Sequence, residues 1–534
     1  MQPIIPEALE EEARVSRPPK RRRLWKKEDI CVAPLPQYEH LAPEKIMSPI
    51  EYFEQMFSPN LLAHITFQIN LYAKQRDVNT TFLTDEIEVK KFIGVLLYMG
   101  VCNLPAIEDY WANETRVPQV ADMMSSKRFR LLRSLLHFND NDQAVGSNDR
   151  FFKIRPVFDA ITENFLSIPA TTEQSVDEVM VAYKGTRAGN LRQYIKTKPD
   201  KWGYKLFCRG STDGVIHDII MYQGASTFEA RKTSLSQEEQ QMNLTSRIVI
   251  SLIKTLKHPE CSVIYADNFF SSIELAEYLK ARYNCRYVGT ARENRVGNPD
   301  LTPTKQMNGN KIPRGTLDYR STSGIIVLKW KDNKVVNIIS SDAGVEPMST
   351  VKRYDKTERA KKEVPCPDVI KKYNCRMGGI DKSDMLTHLY KTPLRARRWY
   401  VKIFGYVIDL CVTNSWLVYK RDCLKLEEQP MPLKQFRLSV SRSCQEKKFL
   451  VTRSNSLSKF SPTAPKQQIV PSSCTAKNNV QHLPIFKDQR QTCKFCSKKG
   501  DIHRSRWMCT GCNVALCLND KNNCFTEYHN ENKL

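Results

Sequence analysis

The chain has 534 residues, with 82 Lys+Arg against 58 Asp+Glu and a net charge of +24. That length holds about two to four domains with a sizeable core, which excludes a small stapled scaffold, and the positive excess points to a polyanion, either nucleic acid or an anionic membrane surface. The acidic N-terminal stretch MQPIIPEALEEEARV is no signal peptide, and the longest apolar stretch, 401–419, holds Lys402, Asp409 and Asn414; the expectation is an intracellular protein with no membrane span, whose 17 cysteines are thiols and metal ligands.

Residues 1–45 lack apolar periodicity and carry RPPKRRRLWKK (17–27), which resembles a nuclear localisation signal and equally suits a solvated basic tail that touches phosphates. We read them as a disordered basic tail. From 46 to 171 the pattern is helical: TDEIEVKKFIGVLLYMG (84–100) has Thr84 as N-cap and Gly100 as stop. SSKRFRLLRSLLHF (125–138) is a second helix, with Lys127, Arg128, Arg130 and Arg133 on a solvated face.

Between 172 and 292 the texture changes to strands. WGYKLFCRGSTDGVIHDIIMY (202–222) reads as two strands turning at Asp213-Gly214. A strand at 262–266, the helix SSIELAEYLKARY (271–283) and the strand CRYVGTA (285–291) follow. A hairpin joined to a strand-helix-strand unit predicts an α+β mixed sheet covered by helices. The hairpin GIIVLKWKDNKVVNIISS (324–341) sits in turn-rich sequence from 293 to 368, expected to be an insertion. Helical texture returns from 369 to 440, with 401–419 as a core helix. Residues 441–490 are polar and aperiodic, expected as a flexible linker before a Cys-rich region at 491–534.

Three segments place acids in comparable positions. Asp267 ends the 262–266 strand although Ser271 or Ser272 is better placed to cap the next helix. Asp177 and Glu178 stand at the entrance of a strand-like run, and Asp381 and Asp384 follow Gly378-Gly379, three apart on one helix face. Each acid singly is also an ordinary cap or turn residue. Together, three separated acids in a mixed sheet suit two Mg²⁺ ions, which prefer hard oxygen ligands and promote phosphodiester cleavage and joining. The fork KTPLRARRWYVK (391–402) follows, where Arg395, Arg397, Arg398 and Lys402 are candidates for gripping DNA phosphates. Trp399 and Tyr400 are read as core before base-stacking groups.

In the tail, Cys493/Cys496 and Cys509/Cys512 form two CxxC knuckles, followed by Cys517, Cys524 and His529. That set predicts one or two structural Zn²⁺ ions.

The Asp-Glu segment running into Tyr183, Lys184 and Gly-x-Arg, then KPDKWGYK, ADNFFSS, VGTARENR and YNCRMGGIDKSDM, resemble in order and spacing the signatures of the piggyBac-type transposase family, from residue 46 to the C-terminus. The resemblance implies an RNase H-like catalytic domain in two parts, 172–292 and 369–390, interrupted by an insertion domain at 293–368. It also implies a helical dimerisation and DNA-binding domain from 46–171 and 391–440, acting as a homodimer on transposon ends in the nucleus. Asp177, Asp267 and Asp381 are then the catalytic, Mg²⁺-binding triad, with Asp384 as a nearby fourth acid. The family excises DNA with hairpinned ends and inserts it at TTAA. Its tail is similar to a cross-brace with two zincs: Cys509, Cys512, Cys524 and His529 at one, Cys493, Cys496 and Cys517 at the other, and Asp520 or His503 as the eighth ligand. Lys184, where the family often has Arg, is a departure. The alternative is a domesticated DNA-binding protein that no longer transposes.

Overall fold

In a computed structural model, the structure describes residues 23–36, 43–445 and 482–531, apart from 145, 187, 188, 197, 232, 233, 310, 356–358, 395, 499, 500 and 520–522. It divides into two units, Met1–Phe449 and Leu450–Leu534.

The first unit begins with helices α1 (Pro49–Met56), α2 (Pro59–Arg76), α3 (Glu86–Val101), α4 (Ser126–Leu135) and α5 (Arg155–Ser167). The cap of α3 is Asp85, whose carboxylate accepts from the Glu88 N–H at 2.7 Å, and not the expected Thr84, whose hydroxyl turns to the Glu88 carboxylate at 2.6 Å. Gly100 is not a stop either, because α3 runs through it; a Cβ there would stand 2.6 Å from both the Tyr390 carbonyl and the Arg437 guanidinium. The basic face of α4 is paired rather than merely solvated, Arg128 with Glu88 at 2.6 Å and Arg130 with Glu108 at 3.2 Å.

The central strands are β1 (Glu173–Ala182), β2 (Gln193–Tyr194), β3 (Trp202–Ser211), β4 (Ile216–Met221), β5 (Val263–Ala266), β6 (Arg286–Thr290), β7 (Leu317–Thr322), β8 (Ile325–Lys331) and β9 (Val335–Ser340). They form one nine-stranded sheet in the order β2-β3-β1-β5-β6-β9-β8-β7, with β4 also on β3. The pairs β1–β3 and β3–β4 are antiparallel, whereas β1–β5 and β5–β6 are parallel. Gly214, at φ 107°, makes the β3–β4 turn where Asp213-Gly214 predicts it. Helices α6 (Leu244–Ile253) and α7 (Ile273–Tyr283) share a core with Val176, Ile264 and Ala266 on one face of the sheet.

The expected insertion is only partly separate. Strands β7 to β9 extend the main sheet through β6–β9 pairing, and a hairpin of β10 (Ser349–Asp355) and β11 (Ala360–Cys366) forms its own two-stranded sheet. All seven residues of β8 are buried, the signature of a strand covered on both faces. Residues 23–36 also differ from the expected disordered tail. Lys26 pairs with Ser321 of the edge strand β7, Arg23 bonds Glu277 at 2.7 Å, and Asp29 accepts from the Val345 N–H at 3.0 Å. Trp25, Ile30 and Leu35 pack against the cores beside the sheet. Apolar anchors spaced among the charges hold the arm, and no periodicity advertises them.

After the sheet come α8 (Asp368–Arg376), α9 (Gly379–Leu389), α10 (Trp399–Lys425) and α11 (Leu433–Ser443). Helix α10 is long and apolar enough to cross a membrane, yet 78% of its apolar window is buried in protein. Its Asp409 is fully inside, 2.8 Å from Arg437 of α11 and bonded to Thr392. Helices α1 to α5 share one core with α10 and α11, so segments before and after the sheet build one helical body.

In the second unit, β12 (Pro484–Thr492) pairs with β13 (Arg504–Cys509), and α12 (Cys524–Glu531) follows. Strand β12 falls in the stretch expected as linker. Every residue of it is exposed, so pairing with β13 rather than burial makes it a strand.

Candidate active site and metal centres

The parallel register of β1 and β5 sets Val176 opposite Ala266, and the next residues along are Asp177 and Asp267. Strand side chains alternate, so Asp177 shares a face with Val179 and Val181, and Asp267 with Val263 and Tyr265. That face is the one covered by α8 and α9: Val263 and Tyr265 pack with Val369 and Ile370, and Val179 and Val181 belong to the core that holds Ile380 and Leu386. Helix α9 begins at Gly379, where a Cβ would stand 2.4 Å from the Ser211 carbonyl and 2.6 Å from Ser175 Oγ. The bare glycine lets the helix start touch the sheet. Asp381 lies in the first turn of α9 and Asp384 one turn on. The charges of Asp177, Asp267 and Asp381 all act on the Tyr373 hydroxyl, which burial pushes up to about 12.

Asp267 is not a helix cap. Ser272 caps α7, accepting from the Leu275 N–H at 3.2 Å, while Asp267 Oδ1 accepts from the Phe269 N–H at 2.8 Å within the turn. Asp177 is buried, and burial pushes its carboxyl up to about 7, Lys198 opposing and Glu178 and Asp267 adding. These are hard oxygen donors of the kind a divalent cation takes, but among the described residues the acids are not gathered with their ligand oxygens within 4.8 Å of one another as two sets in the tail are.

The fork after α9 divides by role. Arg398 donates to the carbonyls of Arg133 at 2.6 Å and Leu136 at 2.8 Å, closing the C-terminal end of α4, so its guanidinium serves structure where DNA contact was expected. Arg397 is exposed, Lys402 is half-buried and Arg395 lies outside the described residues. Trp399 and Tyr400 pack in the core among Phe151, Tyr204 and Phe138.

In the tail, two sets of four ligand atoms each lie within 4.8 Å of one another: His482, Cys509, Cys512 and His529, and Cys493, Cys496, Cys517 and Cys524. Tetrahedral zinc has bonds of about 2.3 Å to sulfur and about 2.0–2.1 Å to nitrogen, which gives ligand–ligand edges of roughly 3.5–3.8 Å. Cys496 and Cys517 are 3.7 Å apart, Cys509 and His482 3.5 Å, and Cys512 and His529 3.6 Å, while Cys512–His482 and Cys509–His529 are shorter, each at 3.1 Å. His529 Nδ1 sits 2.6 Å from the Phe525 carbonyl, leaving Nε2 toward the sulfurs. Both sets fit zinc. The expected pairing is corrected: Cys524 joins the all-cysteine set, and His482 completes the other. His503 points to Asp501 instead, and Asp520 lies outside the described residues.

A family model described as Transposase IS4 matches residues 48–416. The chain belongs to this transposase family, in its piggyBac-type branch. It is 29% identical over 530 residues to the human PiggyBac transposable element-derived protein 3, covering 96% of this chain and 83% of that protein. Its identity with the human PiggyBac transposable element-derived protein 2 is 27% over 523 residues, covering 96% and 82%. Among solved structures, a cryo-EM structure of the piggyBac transposase synaptic complex with hairpin DNA matches with a TM-score of 0.62 at 22% identity, covering 74% of this chain and 80% of that one. This likeness shows that the transposase fold is shared.

Within that transposase fold, sequence reading missed three groups. His482 stands in the polar stretch taken as linker, and its only signal was being a histidine upstream of the knuckles. Lys198 and Lys205 both approach Glu178, at 3.9 and 4.0 Å, and belong to KPDKWGYK, quoted as a signature without a role. His388 bridges Asp384 at 3.3 Å and Asp200 at 3.6 Å, and only the helical spacing of Asp384 and His388 hinted at it.

Proposed function

We propose that this protein cuts and joins DNA at transposon-type ends, using an RNase H-like acid site in which Asp177, Asp267 and Asp381 hold Mg²⁺ and Asp384 stands beside them. The single observation that carries the reading is the β1–β5 register, which sets Asp177 and Asp267 side by side on the sheet face where α9 presents Asp381. Mg²⁺ held there would activate the attacking water or 3′ hydroxyl and stabilise the leaving oxygen. The protein's own contribution is position: the strands fix two carboxylates, Gly379 seats the third, and burial of Asp177 excludes water from one side. The +24 charge and the exposed Arg397 support DNA as the partner, and the two tail sets, each loaded with Zn²⁺, would hold an end-recognition module. A homodimer, TTAA as target and the nucleus as location follow from family resemblance and belong to the same proposal.

The test is incubation of the purified protein with candidate terminal repeats and Mg²⁺, followed by a search for nicked and hairpinned products. Products that vanish with Asp267→Ala support the reading. Retained end binding with no products from the wild type favours the second reading, a domesticated DNA-binding protein, which the names of the human relatives bring forward.

A further inference from the structure

A cavity of about 310 Å³ lies between the segment 166–173 that leads into β1, Arg209 of β3, His217 of β4 and the segment 255–262 that leads into β5. Arg209 stands opposite Val176 in the β1–β3 register, which puts it on the α6 side of the sheet, away from the face of Asp177. It is 1% exposed. Its Nε donates to the Leu252 carbonyl at 3.0 Å, Nη1 to Gln174 Oε1 at 2.8 Å and Nη2 to Thr255 Oγ1 at 3.2 Å. All three acceptors are neutral, and an N–H on each of Nη1 and Nη2 is left over. The network reaches a carboxylate only through Thr255, whose hydroxyl donates to Asp218 at 2.6 Å, and Asp218 already pairs with Arg231 at 2.5 Å. Two guanidinium groups thus share one acid. Burial holds the Arg209 guanidinium down at about 10, with Asp218 opposing the shift and Arg231 adding to it. The polar floor continues from Gln174 Nε2 to Ser211 Oγ at 3.1 Å and on to His217 Nε2 at 2.7 Å, all of it buried. At the rim Lys257 is exposed, while Glu173 is paired with Arg376 at 3.3 Å and His258 with Glu260 at 3.2 Å.

We propose that this cavity binds a small organic anion, whose carboxylate or phosphate oxygens take the spare N–H groups of Arg209 while its apolar body lies against Leu166, Ile168 and Leu256. A charge buried without a counter-charge is unfavourable, and an oxyanion in the cavity supplies the missing one. N–H groups on two adjacent nitrogens of one guanidinium suit two oxygens of one oxyanion, a match that a lysine could not offer. The walls at Leu166, Ile168, Ala170 and Leu256 favour an occupant with carbon behind its charged head. The volume, at the small end of the range of about 300–1,000 Å³ for ligand pockets, limits that occupant to a small molecule and excludes a DNA strand. Arg209 also holds Gln174, which pairs with Ile264 in the β1–β5 ladder, so the bound anion braces the strand pair that leads to Asp177 and Asp267.

The test is isothermal titration of the zinc-loaded full chain with benzoate, with inorganic phosphate and with neutral benzamide. The wild type should show one saturable site for benzoate or phosphate, with benzamide weaker by at least about tenfold, since a hydrogen bond to a charged group is worth more than one to a neutral amide. Whichever anion binds more tightly identifies the oxyanion. Arg209→Met, which removes the charge and keeps an apolar side chain of similar length, should weaken the anion at least about tenfold. Ala170→Trp fills the cavity and leaves Arg209 in place, so it should abolish the site even where Arg209→Met fails to fold. Anion binding that persists in either folded variant belongs to surface lysines and arginines of this +24 chain and overturns the site. So does the absence of saturable binding of both anions by the wild type, or equal binding of benzamide and benzoate.

Discussion

At the scale of single residues, position separates acids that look alike in sequence. Asp85 is a helix cap and Asp213 holds a turn while paired with Arg421, yet Asp177 and Asp267 follow paired strand residues and cap no helix, although Asp267 also holds a turn through the Phe269 N–H. Asp177→Ala, Asp267→Ala or Asp381→Ala should therefore reduce DNA cleavage to background while a mobility-shift assay shows binding little changed, since DNA is held by other, basic groups. Parallel loss of binding and cleavage would count against the assignment. Gly379 gives a second expectation. In Gly379→Ala the added Cβ meets backbone at Ser211, which cannot move aside without disturbing β3, so α9 must shift. The cost should be about 1–3 kcal/mol in urea unfolding, with cleavage falling further than stability alone explains. Asp267 and Asp381 were legible in sequence because each follows a recognisable element, whereas Asp177, expected at a strand entrance, lies in the middle of β1 paired with Cys208. Arg398 was not legible, because a guanidinium that closes a distant helix end and one that grips phosphate look the same until α4 is seen beside it.

Elements show where hidden polar contacts decide stability. Helix α10 keeps Asp409 inside the protein because Arg437 of α11 meets it at 2.8 Å and also donates to the Leu97 carbonyl at 3.1 Å. Arg437→Met strands that carboxylate and should cost about 3–5 kcal/mol, seen as a lower denaturation midpoint. A change in midpoint of the size of an ordinary surface substitution would show that Asp409 is neutralised some other way. In the tail, few large apolar side chains are available, so the metal sets act as its core. Metal analysis of the full chain should find about two zinc ions in the wild type and in His503→Ala, and about one in His482→Ala. About two in His482→Ala would return the eighth ligand to another residue. The CxxC knuckles were readable because two ligands come from one turn. The pairing of Cys524 and the role of His482 depend on strand β12 returning along β13, a contact between segments with no local mark.

For the whole molecule, a net charge of +24 spread over 534 residues implies many phosphate contacts. Each contributes a slope of about −0.9 in log K against log salt, so DNA binding should weaken with a total slope of several units, and a nearly flat titration would remove DNA as the main partner. Charge, the strand-helix-strand pattern around Asp267, the core character of 401–419 and the cysteine knuckles are properties of short segments, and there the sequence alone determined what this protein would build. Three things waited for the tertiary structure: β7 to β9 joining the main sheet instead of standing apart, residues 23–36 lying along its edge, and the two metal sets drawing ligands from both ends of the tail. The reason is common to all three. Periodicity and turn chemistry report what a segment does with its own backbone, whereas edge pairing, docking and ligand convergence are settled by whichever distant surface leaves hydrogen bonds and apolar area to be covered.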